Sequence, residues 1–148
     1  MPQNEMTAQD RLDVLELIAR YAQCIDGGDL DGYVDNFLPG GVIEWANGVA
    51  NGREEIRSWV GGLMATGRIG GEPAFTRHFV NLPYIYDGDG QRCSARTYVI
   101  IFTLDVSGKV TVPSVGSYTD TCVKTEHGWR FARRIIASDL GSFTRASD

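Results

Sequence analysis

The stretch LIARYAQCIDGGDLDGYVDNF, residues 17–37, decides the fold because it contains two helical patterns and the break between them. Apolar residues recur at helical spacing as far as Asp26, and two glycines then end the pattern. Asp29 has the residue type and position of a helix N-cap, and a shorter apolar repeat follows it to Phe37. The stretch therefore predicts a long N-terminal helix and a second, short helix that Pro39 and the glycines after it stop.

The flanking segments extend this pattern in both directions. Thr7 followed by Asp10 is typical of a helix N-terminus with an acidic residue in its first turn. The segment GVIEWANGVANG, residues 41–52, predicts a small β-hairpin that turns at an Asn-Gly pair. Asn51 then predicts the cap of a third helix, over roughly residues 53–65.

The remainder of the chain predicts β-strands. They run over approximately 74–86, 91–106, 110–123 and 129–138, and the turn sequences DGDG, SG and EHG separate them. Short connections imply antiparallel neighbours. Helices followed by strands indicate an α+β fold, in which the N-terminal helices pack on the concave face of a long, curved, mostly antiparallel, barrel-like sheet. A chain of 148 residues without a repeat or linker predicts a single domain.

Composition excludes several function classes. The net charge of −5 argues against a nucleic-acid partner or an anionic membrane surface. The chain contains no run of about 18 apolar residues, so we predict no membrane span. Cys24, Cys93 and Cys122 lack CxxC spacing, and the polar N-terminus lacks a signal sequence, so we expect reduced thiols in a cytoplasmic protein. The two histidines are not at metal-ligand spacing, so we expect no metal site.

Asp26 is the first candidate for chemistry. It continues the apolar stripe of the first helix, so its carboxylate is expected to point inward at the helix C-terminus, where the helix dipole disfavours negative charge. A buried carboxylate in that place needs a partner. The alternative is that the helix frays one turn early and Asp26 faces water.

His78 is the second candidate, in the segment TRHFVN. The even positions of its predicted strand form the more apolar face, so the ring is expected to face the core. A lone core histidine is usually structural. An inward aspartate beside it would fix the tautomer and raise the basicity of the ring, which makes a general base for neutral pH.

An arginine near such a base would stabilise developing negative charge. The segment GWRFARRII offers Arg130, Arg133 and Arg134, and strict alternation places Arg133 on the more apolar face. The alternative is that these arginines form a row of charges on the protein surface. Aromatic residues that would line a pocket, or simply fill the core, are Tyr21, Tyr33, Trp45, Trp59, Tyr84, Tyr98 and Tyr118.

These residues resemble a known family. The chain resembles the SnoaL-like branch of the nuclear transport factor 2-like superfamily, and the resemblance covers about residues 8–140. The segments that carry it are residues 17–37, NGREEI, TRHFVNLPYI and GSYTDTCVKTEHGWRFARR. These small cone-shaped α+β proteins include polyketide cyclases, scytalone dehydratase, lindane dehydrochlorinase, bile-acid dehydratase and ketosteroid isomerase. The fold hosts many functions, so it does not by itself determine the activity.

The resemblance assigns roles to individual residues. Asp26 matches the aspartate that pairs with the catalytic histidine of the dehydratase-like members, and His78 matches that histidine. Arg134 falls where the dehydrochlorinase has its active-site arginine, which a β-bulge would reconcile with strict alternation. Tyr21 matches the tyrosine ahead of the aspartate. The chain departs from scytalone dehydratase, whose second histidine is replaced here by Arg96 or Tyr98.

The resulting expectation is a lyase or isomerase, dehydratase-like or cyclase-like, that needs no cofactor and acts on a small apolar or aromatic ring-containing ligand. His78, Asp26 and Arg134 would be catalytic, and the substrate would contact Tyr21, Trp45, Tyr84, Tyr98 and Tyr118. The alternative is a module of the same fold that binds a small molecule or assembles with a partner without catalysis, such as a dioxygenase small subunit. The resemblance also implies a homo-oligomer, either a dimer or a trimer.

Overall fold

Three helices cover one face of a sheet in the computed structural model, which describes residues 5–67, 69–71 and 75–139. The helices and strands follow the order α1 (Ala8–Gly27), α2 (Leu30–Asp35), β1 (Phe37–Trp45), β2 (Gly48–Asn51), α3 (Gly52–Ala65), β3 (Phe75–Val80), β4 (Tyr84–Tyr86), β5 (Arg92–Leu104), β6 (Val110–Thr125) and β7 (Gly128–Ser138). No helix in these ranges is long and apolar enough to cross a membrane.

Local capping interactions set the ends of α1 and α2. The backbone N–H of Asp10 donates to the Thr7 hydroxyl, and the Thr7 N–H donates to the Asp10 carboxylate, both at 3.0 Å. Gly28 closes α1 with φ of 74°, a conformation that glycine adopts without steric cost. Asp29 caps α2 by accepting the N–H of Gly32 at 2.9 Å. The two predicted helices and the break between them are confirmed.

The described strands form one curved, unclosed sheet in the order β2-β1-β7-β6-β5-β3, with β4 paired to β5. Every pairing is antiparallel except that of β1 with β7, which is parallel. The expected α+β fold, with N-terminal helices on a mostly antiparallel sheet, is confirmed. The parallel pairing was not predicted from the sequence.

The strand predicted over 74–86 is interrupted and forms β3 and β4 instead. The N–H of Asn81 donates to the Tyr98 carbonyl at 3.3 Å, and the Asn81 side chain accepts the Tyr98 N–H at 2.8 Å. Pro83 lacks an N–H and cannot continue the ladder. Ala74, the first residue of the predicted strand, lies outside the described residues.

The end of the second predicted helix was also misplaced, because residues 37–41 belong to β1. Phe37 is fully buried and lies beside Phe131 in the parallel pairing with β7. The Arg53 side chain donates to the Phe37 carbonyl at 2.9 Å from Nε. Gly41 allows close approach of β7, since a Cβ there would lie 2.9 Å from the Phe131 carbonyl oxygen.

The core lies between α1, α2 and the face of the sheet that they cover, called here the concave face. Cross-strand register assigns to this face the following residues of β5 and β6: Cys93, Ala95, Thr97, Val99, Ile101, Gly116, Tyr118, Asp120 and Cys122. The three cysteines are free and buried. Gly116 has no room for a side chain, because a Cβ would lie 1.9 Å from the Ala137 carbonyl oxygen of β7.

Asp10 gives the fold a pH dependence. Its carboxylate accepts Nζ of Lys124 at 2.8 Å and Nε1 of Trp129 at 3.1 Å, in addition to its bonds with Thr7. The hydrogen bonds from Lys124 and Thr7 hold the pKa of Asp10 well below its usual range, although burial opposes them. The stabilisation is therefore complete above the ordinary aspartate pKa of about 4 and is lost as the pH falls through the lowered pKa of the folded state.

We therefore expect Asp10→Asn to lower the free energy of unfolding by about 1 to 2 kcal/mol near neutral pH, and by less at about pH 3. Urea unfolding followed by circular dichroism at the two pH values measures this difference. Asp31→Asn is the control, since the Asp31 side chain is exposed and should change stability little at either pH. If Asp10→Asn lowered the free energy of unfolding by as much at about pH 3 as near neutral pH, the lowered pKa of Asp10 would be contradicted.

Candidate functional site

Asp26 and His78 are in direct contact, although 52 residues separate them in sequence. Nδ1 of His78 lies 2.6 Å from one carboxylate oxygen, and the other oxygen accepts the backbone N–H of His78 at 2.7 Å. The His78 and Asp26 side chains are 5% and 10% exposed. Helix α1 extends through Asp26 to Gly27, so the carboxylate faces His78 instead of water.

The position of β3 explains why the sequence builds this contact. β3 lies at one end of the sheet order, and an edge strand leaves alternate N–H groups without a strand partner. The C-terminal turn of α1 brings the Asp26 carboxylate to such a group, at His78. The two charge-assisted hydrogen bonds offset the unfavourable helix dipole at Asp26.

The contact also fixes the chemistry of the ring. An ionised carboxylate can only accept hydrogen bonds, so the proton of the neutral imidazole lies on Nδ1 and Nε2 keeps its lone pair. A histidine oriented in this way can remove a proton through Nε2, while the carboxylate stabilises the imidazolium that forms.

Apolar side chains neighbour His78 on the sheet, and others pack against the core elsewhere in the fold. Ile101 is the cross-strand neighbour of His78, and Val99 is the neighbour of Val80. The partly buried apolar residues that pack on the core include Trp45, Trp59, Met64, Ile69, Ile101 and Ile136. The rings of Trp45 and Trp59 stack with centroids 4.2 Å apart. The margin of the core therefore offers mainly apolar side chains, which suit an apolar ligand better than a highly charged one.

A second ion pair lies in the core. Arg134 donates from Nε and Nη2 to the two carboxylate oxygens of Asp120 at 2.8 and 2.7 Å, and both side chains are fully buried. The guanidinium carbon lies 4.1 Å from the ring centroids of Tyr21, Tyr118 and Phe131. Burial opposes the charge of Arg134, but the Asp120 carboxylate raises its pKa above the already high ordinary value. Arg134 therefore keeps its positive charge.

A β-bulge explains which of two adjacent arginines faces inward. The pairing of β6 with β7 shifts register at Ala132, so Phe131 and Arg134 both face the core although they are three positions apart. Arg133 points outward and donates from Nε to Glu44 at 3.0 Å. Strict alternation favoured Arg133 for the inner face, and that interpretation was wrong because of the bulge.

The buried tyrosines differ in their hydrogen bonding. The Tyr33 hydroxyl donates to the Tyr21 hydroxyl at 2.8 Å. The Tyr118 hydroxyl makes no hydrogen bond to any described residue. Burial raises the pKa of Tyr118 well above its usual value, and Tyr21 and Asp120 add to this while Arg134 opposes it. The phenol therefore keeps its proton at neutral pH and can donate it in a hydrogen bond.

Two predicted pocket residues lie on the other face of the sheet. Tyr84 and Tyr98 are each 70% exposed, and Tyr84 pairs with Arg96, whose side chain is also outside. The interruption at Asn81 breaks the alternation on which the prediction for Tyr84 rested. The structure thus brings Asp26 and His78 together and buries Tyr21, Tyr118 and Arg134 in the core. Tyr84 and Tyr98 lie on the opposite face of the sheet.

Sequence reasoning missed Asp120 and Thr97. Both face inward, and Asp120 is the buried partner of Arg134. Alternation in the segment SYTDTCV places Asp120 on the same face as Tyr118 and Cys122, and that signal could have identified it. A buried carboxylate would then have required a cationic partner on a neighbouring strand.

Comparisons with known proteins agree with this architecture. The sequence profile of the SnoaL-like domain family matches residues 6–135. An uncharacterised protein of Mycobacterium tuberculosis is 30% identical over 131 residues, which cover 85% of this chain and 83% of that protein. The resemblance stated from the sequence is confirmed.

Two solved structures illustrate the fold. An NTF2-like protein with a cystatin-like fold from Novosphingobium aromaticivorans is 28% identical, with a TM-score of 0.76 over 92% of this chain and 86% of that one. The beta subunit of a proposed aromatic-ring-hydroxylating dioxygenase from the same organism is 18% identical, with a TM-score of 0.74 over 88% of this chain and 89% of that one. The second likeness concerns the fold alone.

The two adjacent arginines allow a matched test of the buried ion pair. We expect Asp120→Asn to lower the free energy of unfolding by about 3 to 5 kcal/mol, because it leaves the Arg134 charge buried without compensation. Glu44→Gln removes the exposed partner of Arg133 and should cost less than about 1 kcal/mol. Denaturant unfolding of the wild type and both variants measures the two differences. If the two substitutions lowered the free energy of unfolding equally, the burial of the Arg134–Asp120 pair would be contradicted.

Proposed function

The chain belongs to the SnoaL-like family, and from this premise we propose that it is a cofactor-independent lyase or isomerase of small, apolar, ring-containing molecules. The contact between Asp26 and His78 carries the proposal. It supplies a base whose free nitrogen is defined, at the margin of a core lined by partly buried apolar side chains. A dehydratase-like or cyclase-like reaction needs a base of this kind.

The proposed reaction begins when Nε2 of His78 removes a proton from a carbon of the substrate. In an elimination, the electron pair of the broken carbon–hydrogen bond forms the new double bond, and the neighbouring carbon–oxygen bond breaks. The leaving oxygen takes the proton back from the imidazolium and departs as water. In an isomerisation, the proton returns to a different carbon. Asp26 stabilises the imidazolium in both cases.

Arg134 supports this reaction mainly through its charge. Two of its nitrogens are occupied by Asp120, and aromatic rings cover the guanidinium. We therefore assign the direct contact with developing negative charge to a tyrosine hydroxyl, and the supporting positive field to Arg134.

The alternative is a module of this fold that binds or assembles without catalysis. The fold likeness to a dioxygenase beta subunit and the aromatic outer face of the sheet favour it. In that case Asp26 and His78 would only attach α1 to the sheet. The protein would then remove a proton from a substrate no faster than free imidazole does.

We also propose that the chain forms a homo-oligomer through the outer sheet face. Phe79, Tyr84 and Tyr98 lie on this face and are 67–70% exposed. Large exposed aromatic side chains on one surface are typical of protein contacts. The proposal commits to a second copy of this chain as the partner.

Nitrobenzisoxazole tests the base without knowledge of the natural substrate, because removal of one ring proton opens this apolar bicyclic compound to a coloured product. We expect His78→Ala to lower the rate by about 10²- to 10⁴-fold. Asp26→Asn should lower it by a smaller factor, because the ring remains but loses its orienting carboxylate. Absorbance measures the rate.

His127→Ala is the matched control, since the other histidine is 78% exposed and should leave the rate unchanged. Circular dichroism checks that each variant is folded. If folded His78→Ala protein retained the wild-type rate, or if the wild type were no faster than free imidazole, the catalytic proposal would fail and the non-catalytic alternative would stand.

The oligomer is tested by sedimentation velocity. Tyr98→Asp places a charge on the outer face and should shift the protein toward the monomer by weakening the contact. Leu12→Asp is the control, because Leu12 is an exposed apolar residue on α1, away from this face. An unchanged sedimentation coefficient in Tyr98→Asp, or a monomeric wild type, would contradict the proposed interface.

A further inference from the structure

Three sulfur-containing side chains meet where β5 begins and β6 ends. The chain has three cysteines and three methionines. Cys93 and Cys122 are direct cross-strand neighbours, and both are free and fully buried. Met6, which precedes α1, packs against the same core. Two cysteines and one methionine are thus gathered at one place in the fold.

Contacts at Gly88 place the Met6 sulfur beside Cys93. A Cβ on Gly88 would lie 2.9 Å from Sδ of Met6 and 3.4 Å from Cβ of Cys93. Both side chains therefore adjoin the same small space, which the absence of a side chain at Gly88 leaves to the thioether. Because Met6 is only partly buried, an ion can reach the sulfur atoms from the side of the segment that leads into α1.

The two thiols contact each other. A hydrogen bond between them is the largest influence on both, and it lowers the pKa of Cys93 and raises the pKa of Cys122 well above its usual value. Buried cysteines often act only as small apolar residues. Here two thiols face one another across the strands and a thioether adjoins one of them. The three sulfur atoms can therefore share one ion.

The strand pairing disfavours a disulfide between these cysteines. The N–H of Lys124 donates to the Gln91 carbonyl at 2.9 Å, which makes these two residues a hydrogen-bonded pair. Such pairs alternate with non-hydrogen-bonded pairs along antiparallel strands, so Cys93 and Cys122, the next pair but one, are hydrogen-bonded as well. Their Cβ atoms are therefore about 5.5 Å apart, whereas a disulfide usually needs about 3.5–4.5 Å.

An ion between the two sulfur atoms spans this wider gap. It replaces one S–S bond of about 2 Å by two metal–sulfur bonds of about 2.3 Å each. Thiolate and thioether ligands select copper(I), a soft ion that needs only two or three ligands. No group of three His, Cys, Asp or Glu side chains in the described ranges could hold a metal ion. Zinc, which takes four such ligands in structural sites, therefore fits poorly.

We propose that Cys93, Cys122 and Met6 form a copper(I) site. Each thiol releases its proton to solvent as its sulfur bonds to the ion, and neither copper nor sulfur changes its oxidation state. The expectation that the chain has no metal site rested on the spacing of its histidines, whereas these cysteines meet only through strand pairing.

The copper site is separate from the proposed base and goes beyond the proposed function. His78 pairs with Ile101, and Ile101 and Cys93 lie about 26 Å apart along β5. A bound ion joins β5 and β6 to the segment that leads into α1. Copper(I) therefore stabilises the folded chain and takes no part in the proposed proton transfer.

Competition for copper(I) measures the site. The coloured copper(I) complex of bicinchoninic acid is titrated with reduced protein without oxygen, and loss of colour reports transfer of the ion. We expect the wild type to take up one ion per chain. Cys122→Ala should weaken binding by at least about 100-fold, because residues that merely orient a metal ligand already contribute about 10- to 100-fold. Cys24→Ala removes the third buried thiol and, as the matched control, should bind copper like the wild type.

Two substitutions test the thioether without altering a cysteine. Met6→Leu keeps an apolar side chain of similar size and should weaken binding by about tenfold, since a neutral thioether is a weaker ligand than a thiolate. Gly88→Ala should have a similar effect, because the added Cβ displaces Sδ of Met6. Met64→Leu is the control. X-ray absorption at the copper edge should find three sulfur neighbours in the wild type and two in Met6→Leu.

Several results would overturn the copper site. It is wrong if the wild type leaves the coloured complex intact, or if folded Cys122→Ala keeps the wild-type affinity. It is also wrong if His127→Ala loses the ion, because the ligand is then an exposed histidine. Unchanged affinity in both Met6→Leu and Gly88→Ala would contradict it even if the cysteine variant did not fold.

These outcomes are separate from those for the proposed base. His78→Ala should bind copper(I) like the wild type while losing turnover of nitrobenzisoxazole. Copper(I) should also raise the Tm of His78→Ala as much as that of the wild type, and should leave the Tm of Cys122→Ala unchanged. An equal rise in Cys122→Ala would contradict the copper site and leave the base untouched.

Discussion

One carboxylate fastens the end of the first helix to the edge of the sheet, and the geometry of the candidate site depends on it. Asp26 accepts a ring N–H and a backbone N–H from the same residue, His78, so it fixes both the strand and the imidazole on it. Removal of this contact would weaken the attachment of α1 to β3 and would leave the tautomer of the ring undefined. The same interaction therefore serves packing and chemistry, and a stability measurement must accompany any measurement of rate.

A second pair of charges lies deeper in the fold and has a different character. Arg134 and Asp120 are fully buried, joined by two hydrogen bonds from Nε and Nη2, and enclosed by aromatic rings, while Nη1 of Arg134 has no partner among the described residues. Such a pair contributes little net stability compared with apolar packing, but it is costly to break and it defines the arrangement of its neighbours. The phenol of Tyr118 lies against this pair. The interior thus combines the proposed base with a cation that its counter-ion holds in place.

Features set by local sequence were predictable, and features set by neighbouring strands were not. The caps of α1 depend on residues three or four positions apart, and the stripe that ends at Asp26 uses helical spacing alone. The inward orientation of Arg134 depends on a bulge against β6, and the exposure of Tyr84 depends on an interruption that reverses alternation after Asn81. The parallel pairing of β1 with β7 joins segments about 90 residues apart, and no short pattern encodes it.

The edge position of β3 has a consequence for self-recognition. An open strand edge is a template on which another chain can add a strand, and proteins usually block such edges. Here a side chain from α1 occupies one of the edge donors, at His78, with a carboxylate whose charge also repels an approaching carbonyl oxygen. The carboxylate that orients the proposed base thereby also opposes strand addition at this edge, and the outer face of the sheet remains the surface proposed for ordered assembly.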